Sequence, residues 1–292
     1  MIPAPFAYER ASSVEEALEL LRAGDPETRV IAGGQSLLPL MKLRLARPER
    51  LIDIGRLEEL RGVRRLADGR LAIAALTTYA ELLAAPAAMA YALVADALPT
   101  IGDVQVRNRG TIGGAVAHAD PASDLSAVLL ALDTELVVRS AERGERVIAM
   151  GDALLGPFTT SLEPAELLVE IRLPSASGAY GSAYRRLAQP ASGFAIAGVA
   201  AVVGRTGAAA DGSFDDVRVA VTGVGERPYR ATAVEAALVG TACDPEAVAA
   251  AVAHATDGID VAGDIHADHE YRAAMAAVMA RRAIEAARER LR

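Results

Sequence analysis

The chain has 292 residues, of which 52% are hydrophobic and 23% charged, and its formal net charge is −8. This length and composition allow a large buried core divided over two or three domains. The acidic balance, without a long run of like charges, argues against nucleic acid or an anionic membrane surface as a partner. We read no signal peptide and no apolar run of the roughly 20 residues that span a bilayer, so we expect a cytoplasmic protein without membrane insertion.

Cys243 is the only cysteine, which excludes an internal disulfide and any cysteine-built zinc or iron–sulfur site within this sequence. The four histidines show no HExxH pattern, and we predict no metal site. Any iron–sulfur centre that works with this chain must therefore belong to a partner.

The N-terminal part alternates strands, glycine turns and helices. Ser13 and Glu16 form a capping-box pattern that predicts a helix over about residues 14–23. TRVIAGGQS predicts a buried strand that runs into a glycine turn, and LLPLMKLRLA a short helical or irregular piece after it. RLIDIG and RLAIAALTT predict two further strands, and Thr77 or Thr78 is placed to cap a helix in YAELLAA.

A second glycine turn follows a helix that we predict from Met89 to Pro99. LSAVLLALD is apolar all round, TELVVRS and ERVIAM predict a hairpin, and Pro174 ends a strand in LLVEIRLP. The Gly, Ser and Ala-rich stretch after Pro174 marks a domain boundary. Strands come first and helices afterwards in the remainder, which predicts a C-terminal α+β module.

Two glycine pairs stand out, in AGGQS at residues 32–36 and TIGGA at residues 111–115. Glycines leave room for a ligand beside the backbone, and successive N–H groups in a tight turn bind anions such as a pyrophosphate. Ser36 and Thr111 add hydroxyl groups beside these turns. The alternative is that each pair only makes a turn with positive φ, which is the commoner explanation for one isolated pair.

Neither pair fits a single-loop nucleotide motif, since there is no GxGxxG after a strand and no GxxxxGK[ST]. Two loops would have to share one ligand, and a dinucleotide has two phosphates and a ribose. Asp124, ten residues after Gly114, is placed to accept hydrogen bonds from sugar hydroxyls. Its simpler role is to cap the helix LSAVLLAL, and capping and ligand binding are compatible. Asp120 is expected to cap the turn at Pro121.

The segments AGGQSLLPLMKLRLARPERLIDIGRL and GDVQVRNRGTIGGAVAHADPASDL together resemble the FAD-binding medium subunit of the molybdenum hydroxylases, the family of aerobic carbon monoxide dehydrogenase and xanthine dehydrogenase. The resemblance extends over essentially the full chain. It implies an α+β fold of the PCMH or vanillyl-alcohol-oxidase type, in which two subdomains enclose FAD, followed by a C-terminal α+β flavoprotein domain. We place the boundaries at residues 1–56, 57–176 and 177–292.

The resemblance also implies the residues that bind FAD. Two loops surround the pyrophosphate, Asp124 lies near the adenosine ribose, and three further residues lie near the cofactor. The implied contacts are Ala32, Gly33, Gly34, Gln35 and Ser36 in the first loop, Thr111, Ile112, Gly113, Gly114 and Ala115 in the second, and Asp124, Ile101, Leu168 and Arg185 elsewhere. Ile101 and Leu168 could instead be core residues, and Arg185 could form a solvated pair with Arg186.

Other positions in these motifs are less specific. Lys42 and Arg44 could hold the loop or a partner surface, Phe194 could be a flavin neighbour or a buried strand residue, and His118 is expected to be structural. Two positions depart from the pattern of the carbon monoxide enzymes, because Gln35 stands where they typically have His and Gly193 where many relatives have an acidic residue. These departures weaken an assignment to carbon monoxide oxidation.

The function implied by the resemblance is electron transfer without a catalytic side chain in this chain. A large molybdopterin subunit and a small [2Fe–2S] subunit would be its partners, in a dimer of heterotrimers, and its FAD would deliver electrons to NAD, a quinone, oxygen or a carrier protein. The alternatives are a self-contained FAD-dependent oxidoreductase and a non-catalytic assembly subunit.

Overall fold

A computed structural model describes residues 2–175, 179–205 and 212–291 of the chain. The first module is a small sheet with two helices, and all of its strand pairs are parallel. Its elements are β1 (Ala7–Arg10), α1 (Val14–Arg22), β2 (Thr28–Ile31), α2 (Leu37–Lys42) and β3 (Arg50–Asp53). The strand order β1-β3-β2 places the end of β2 at the sheet edge, where the first glycine loop begins.

The second module is a five-stranded antiparallel sheet of order β4-β5-β10-β6-β7, with helices on one face and a two-stranded hairpin of β8 and β9. A short 3₁₀ helix, Glu58–Leu60, leads into it, and another, Leu98–Thr100, lies within it. Its elements are β4 (Val63–Arg65), β5 (Leu71–Ala74), α3 (Tyr79–Leu83), α4 (Pro86–Met89), α5 (Ala92–Ala97), α6 (Val104–Arg107), α7 (Ile112–His118), α8 (Asp124–Ala131), β6 (Glu135–Ser140), β7 (Gly144–Ala149), α9 (Met150–Ala153), β8 (Leu154–Gly156), β9 (Thr159–Thr160) and β10 (Glu166–Leu173).

The C-terminal module is a four-stranded antiparallel sheet of order β11-β12-β13-β14, followed by helices. A 3₁₀ helix, Val252–His254, follows its second helix. Its elements are β11 (Ala179–Ala188), β12 (Ala195–Arg205), β13 (Asp216–Thr222), β14 (Tyr229–Arg230), α10 (Thr232–Leu238), α11 (Pro245–Ala251) and α12 (His269–Glu289).

The central strand β12 and the helix α8 join the modules. Ten of the eleven β12 residues are buried, because helix α12 covers one face of its sheet and helices α5 and α8 lie against the other. All eight residues of α8 are buried as well. The first module packs through α1 against the outer face of the five-stranded sheet, around Val137 and Val169. The glycine loops thus lie on modules fixed by apolar cores.

The α+β fold class is confirmed, and β6 and β7 form the predicted hairpin. One local prediction is wrong, and one alternative that the sequence left open is excluded. The helix expected from Met89 to Pro99 is interrupted at Tyr91, whose backbone is extended and whose hydroxyl donates a hydrogen bond to the Pro174 carbonyl at 2.7 Å. Ser123, rather than Asp124, is the N-cap of α8, since its hydroxyl accepts from the Ser126 N–H.

Candidate functional site

The first glycine loop connects the end of β2 to the start of α2. Gly34 has φ +76°, a conformation that glycine adopts without steric cost. Within the described ranges, no hydrogen-bond partner is found for the backbone N–H groups of Gly33, Gly34, Gln35 and Ser36, and the Ser36 hydroxyl does not cap α2. Gln35 and Ser36 are exposed. Unpaired backbone donors in sequence form the kind of concavity that binds an anion.

The second glycine loop leads directly into helix α7, and its donors are used inside the protein. The Thr111 hydroxyl accepts from the Gly114 N–H at 3.1 Å, so Thr111 is the N-cap. The N–H groups of Ile112 and Gly113 donate to carbonyl groups that precede α3, and that of Ala115 donates to the Thr111 carbonyl. Gly114 is nevertheless exposed, whereas Gly113 is buried.

The two loops touch each other through backbone atoms. A Cβ atom on Gly33 would lie 1.9 Å from the Arg109 carbonyl oxygen, so only glycine permits this contact. A small cavity of about 20 Å³ lies between the loops, bordered by residues from both. Its lining consists of Ala32, Gly33, Gly55, Arg61, Leu76, Thr78, Asn108, Arg109 and Thr111. The fold therefore brings together the two motifs that the sequence predicts to share one ligand.

Asp124 begins α8 and takes part in a buried polar network. It is 7% exposed and accepts hydrogen bonds from the Tyr184 hydroxyl and, at 2.7 Å, from the Arg186 guanidinium. Burial raises the pKa of the Asp124 carboxyl, and Arg186 and Tyr184 act against that rise. The protein itself thus occupies both carboxylate oxygens, and the ribose contact of Asp124 stays a prediction.

Arg186, expected from the sequence only as a solvated neighbour of Arg185, lies beside Asp124. Its guanidinium also donates to the carbonyl oxygens of Thr100 and, at 2.9 Å, of Gly193. Arg185 points elsewhere and forms an ion pair with Asp96 at 3.0 Å, together with a bond to the Tyr184 carbonyl. The available signal was the alternation along a strand, which puts residues 184 and 186 on one face.

The remaining predicted contacts differ in exposure. Leu168 is buried in β10 and belongs to the core, and Ile101 is partly buried against the same core. Phe194 is 53% exposed, so it is not a buried strand residue. Asp120 caps its turn as expected, since its carboxylate accepts from the Ala122 N–H at 2.8 Å.

His118 ends α7 and packs its ring against Phe158, with ring centroids 5.1 Å apart. Burial lowers the pKa of His118, and the nearby Asp120 carboxylate partly opposes this. Lys42 ends α2, and Arg44, at φ +60°, lies just beyond it and donates to the Ile2 carbonyl at 3.4 Å.

In residues 2–175, 179–205 and 212–291, no group of three or more His, Cys, Asp or Glu side chains is arranged to hold a metal ion. Among the helices of these ranges, none has the length and apolarity that a membrane crossing requires.

The fold and the two glycine loops define a protein with an anion-binding site between its first two modules and a C-terminal α+β module. Residues 4–176 match the family of the FAD-binding domain in molybdopterin dehydrogenase, and residues 182–287 match the carbon monoxide dehydrogenase flavoprotein C-terminal domain. The chain belongs to the FAD-carrying medium subunits of the molybdenum hydroxylases, and it is an oxidoreductase subunit with FAD as its cofactor.

Relatives over the full length agree with this assignment. The chain is 39% identical to the carbon monoxide dehydrogenase medium chain of Hydrogenophaga pseudoflava, over 98% of both proteins. It is 37% identical to the glyceraldehyde dehydrogenase medium chain of Sulfolobus acidocaldarius, over 98% of this chain and 99% of that one. A solved carbon monoxide dehydrogenase from H. pseudoflava, which lacks the Mo-pyranopterin moiety of its molybdenum cofactor, superposes with a TM-score of 0.94 at 41% identity and covers both chains fully.

The residues present fit FAD. The unpaired N–H groups of the first loop suit the pyrophosphate oxygens, and the exposed Gly114 presents backbone without a side chain beside them. Three of the four paired glycines also have a reason within the fold, since Gly33 and Gly113 pack too tightly for a Cβ and Gly34 has positive φ. The turn-only explanation is therefore correct in part and leaves the open donors unexplained.

Proposed function

We propose that this chain is the electron-transfer subunit of a molybdopterin-dependent hydroxylase or dehydrogenase. Electrons would enter from [2Fe–2S] clusters on a small partner subunit and leave through FAD to an external acceptor, while a large partner subunit oxidises the substrate. The observation that carries this proposal is the run of unpaired N–H groups at residues 33–36, in contact with the second loop of an FAD-binding domain.

The chemistry of the chain's own residues agrees with a carrier role. FAD supplies the redox chemistry when bound, and the protein has to hold and orient it. The N–H groups of the first loop would bind the pyrophosphate, and Gly114, which has no side chain, would leave room for it. The ion pair of Asp124 and Arg186 would hold the backbone beside this site in place. The sequence has a single cysteine, Cys243, which is buried among C-terminal core residues, so the clusters would lie on a partner.

We further propose that the predicted site residues, from Ala32–Ser36 and Thr111–Ala115 to Asp124, Ile101, Leu168 and Arg185, act with Arg186 around FAD. The domain limits 1–56, 57–176 and 177–292, the dimer of heterotrimers and the cytoplasmic location stay predictions. The relatives' names refer to different substrates, carbon monoxide and glyceraldehyde, which supports placing the substrate pocket on the large subunit.

The test is to purify the assembly through a tag on this chain, co-expressed with its chromosomal neighbours, and to identify the released cofactor by chromatography. We expect about one FAD per chain and none in a Gly33→Val, Gly114→Val double variant. With carbon monoxide, an aldehyde, a purine and an N-heteroaromatic as trial substrates, the variant assembly should still show reduced iron–sulfur signals in electron paramagnetic resonance, without acceptor reduction.

Two results would contradict the proposal in different ways. An intact assembly without flavin would support a non-catalytic assembly subunit instead. Reduction of FAD by an organic substrate on this chain alone would support a self-contained oxidoreductase.

A further inference from the structure

Arg61 lies behind the two glycine loops, in the segment between the 3₁₀ helix Glu58–Leu60 and β4. Its side chain is 25% exposed, and its Nε atom is buried without a hydrogen-bond partner among the described residues, 3.8 Å from a Glu58 carboxylate oxygen. It borders both the small cavity between the loops and a larger groove of about 430 Å³. Its guanidinium thus forms part of the wall between the loops and this groove.

One end of the guanidinium contacts the support of the first loop. Its Nη2 atom donates to the Gly55 carbonyl at 2.9 Å. Gly55 follows β3 and packs against the start of the loop, because a Cβ there would lie 3.2 Å from the Ala32 carbonyl oxygen. A shift of Arg61 would therefore displace Ala32 through one intervening residue, Gly55.

The other end contacts the support of the second loop. The Nη1 atom donates to the Glu81 carboxylate at 3.1 Å. Glu81 in turn accepts from the Thr78 N–H at 2.7 Å and completes the capping box of α3. Thr78 pairs as an isolated antiparallel bridge with Thr111, the first residue of the second loop.

We propose that Arg61 is a positioning residue, which fixes the spacing of the two glycine loops and thereby the geometry in which they bind a pyrophosphate. This inference rests on the proposed function, because it assumes that the loops share the FAD pyrophosphate. A planar guanidinium holds two partners in different directions at once, whereas the single ammonium of Lys is a point charge on a flexible stem. Arg61→Lys therefore keeps the charge and loses the two-sided contact.

The chain offers a matched control in Arg146, which lies on β7 of the five-stranded sheet. Arg146 also donates to one carbonyl, that of Ser161 at 3.0 Å, and to one carboxylate, that of Glu166 at 2.7 Å. Neither partner belongs to a glycine loop or to the cavity between the loops. Arg146→Lys should thus reproduce the loss of a bridging arginine without the effect on the loops.

The experiment measures the FAD dissociation constant and the thermal midpoint of the flavin-depleted assembly, with and without saturating FAD. In Arg61→Lys we expect the dissociation constant to rise about tenfold and the FAD-induced rise in midpoint to shrink, as loss of charge-assisted hydrogen bonds and ligand linkage require. In Arg146→Lys the midpoint should fall with and without FAD, and the FAD-induced rise should be kept. Glu81→Gln weakens the same link from the other side and should give a smaller rise in the dissociation constant.

An unchanged FAD dissociation constant in both Arg61→Lys and Glu81→Gln would overturn the inference while the proposed function stood. An equal loss of midpoint with and without FAD, at unchanged affinity, would likewise leave Arg61 a purely structural residue. If the wild-type assembly binds no FAD at all, the proposed function fails and the inference fails with it. Should Arg61→Lys not fold, Glu81→Gln against Arg146→Lys decides by the same readout.

Discussion

The two glycine loops look alike in sequence and differ in what they offer a ligand. The first leaves four successive N–H groups without partners in the described part of the chain, whereas the second uses the N–H groups from Ile112 to Ala115 within the protein. An anion therefore finds donors at the first loop. At the second it finds a rigid helix start and the exposed, side-chain-free surface of Gly114. The same glycine motif thus offers hydrogen-bond donors in the first loop and a fixed backbone surface in the second.

The glycines of the two loops also differ in how much space each has for a side chain. Gly33 and Gly113 are required by packing, against the Arg109 carbonyl and against Ala75 respectively. A Cβ on Gly114 would meet only the Thr111 hydroxyl, at 2.7 Å. The packing of each glycine thus predicts whether its loss affects the fold or the ligand.

The largest expected effect follows from Gly33→Ala. Its Cβ would clash with backbone 1.9 Å away, so the loops must separate, at a cost of about 3 kcal/mol in the free energy of unfolding, with loss of FAD. Gly114→Ala should change that free energy by less than about 1 kcal/mol and still weaken FAD binding about tenfold. Urea unfolding and FAD titration of both variants check this. Wild-type FAD affinity in Gly114→Ala would show that the second loop does not face the cofactor.

The substitution Asp124→Asn tests the ion pair between Asp124 and Arg186, beside the second loop. It leaves the partly buried Arg186, whose side chain is 12% exposed, without its charged partner, which should cost about 3 kcal/mol in the free energy of unfolding. Glu19→Gln, which breaks the exposed pair with Arg22, serves as the control and should cost far less, because solvent screens that pair. Urea unfolding measures both. Equal, small effects would mean that the Asp124 pair does not hold this backbone in place.

The comparison also shows how far the sequence predicts the structure. Alternation and capping patterns predict the hairpin of β6 and β7, the capped helix α1 and the order of strands and helices in the C-terminal module. The contact between Gly33 and Arg109 follows from packing of distant segments, and no local pattern carries it. The sequence predicts that the two loops share one ligand, because neither fits a single-loop nucleotide motif, and the motif resemblance implies that this ligand is FAD.

The position of Arg186 is one that the sequence did not predict. The period of two in β11 puts Tyr184 and Arg186 on one face and Arg185 on the other, and each face carries one arginine beside apolar residues. The alternation therefore gives no polarity signal that says which arginine meets the site. The choice between two adjacent arginines therefore required the three-dimensional structure.

A pair of hydroxyl variants gives a smaller effect and tests the loops separately. Ser36→Ala removes a hydroxyl that caps nothing, so the free energy of unfolding should stay within about 0.5 kcal/mol of wild type, while FAD binding weakens by about 1 kcal/mol. Thr111→Ala removes a working N-cap and should lower stability by about 1 kcal/mol. Urea unfolding beside FAD titration separates the two quantities. A destabilised Ser36→Ala would mean that the first loop has a structural role as well.

The smallest effect concerns pH, and it belongs to the second loop alone. His118 ends the helix that this loop begins, and burial lowers its pKa in the folded protein, whereas the first loop contains no titratable side chain. As the pH falls below about 6.5, the unfolded chain takes up a proton at this position before the folded chain does, so stability is lost. In His118→Gln, the slope of the free energy of unfolding between pH 5 and 7 should therefore be flatter than in wild type. Ser36→Ala should keep the wild-type slope, and a wild-type slope in His118→Gln would place the acid sensitivity elsewhere in the protein.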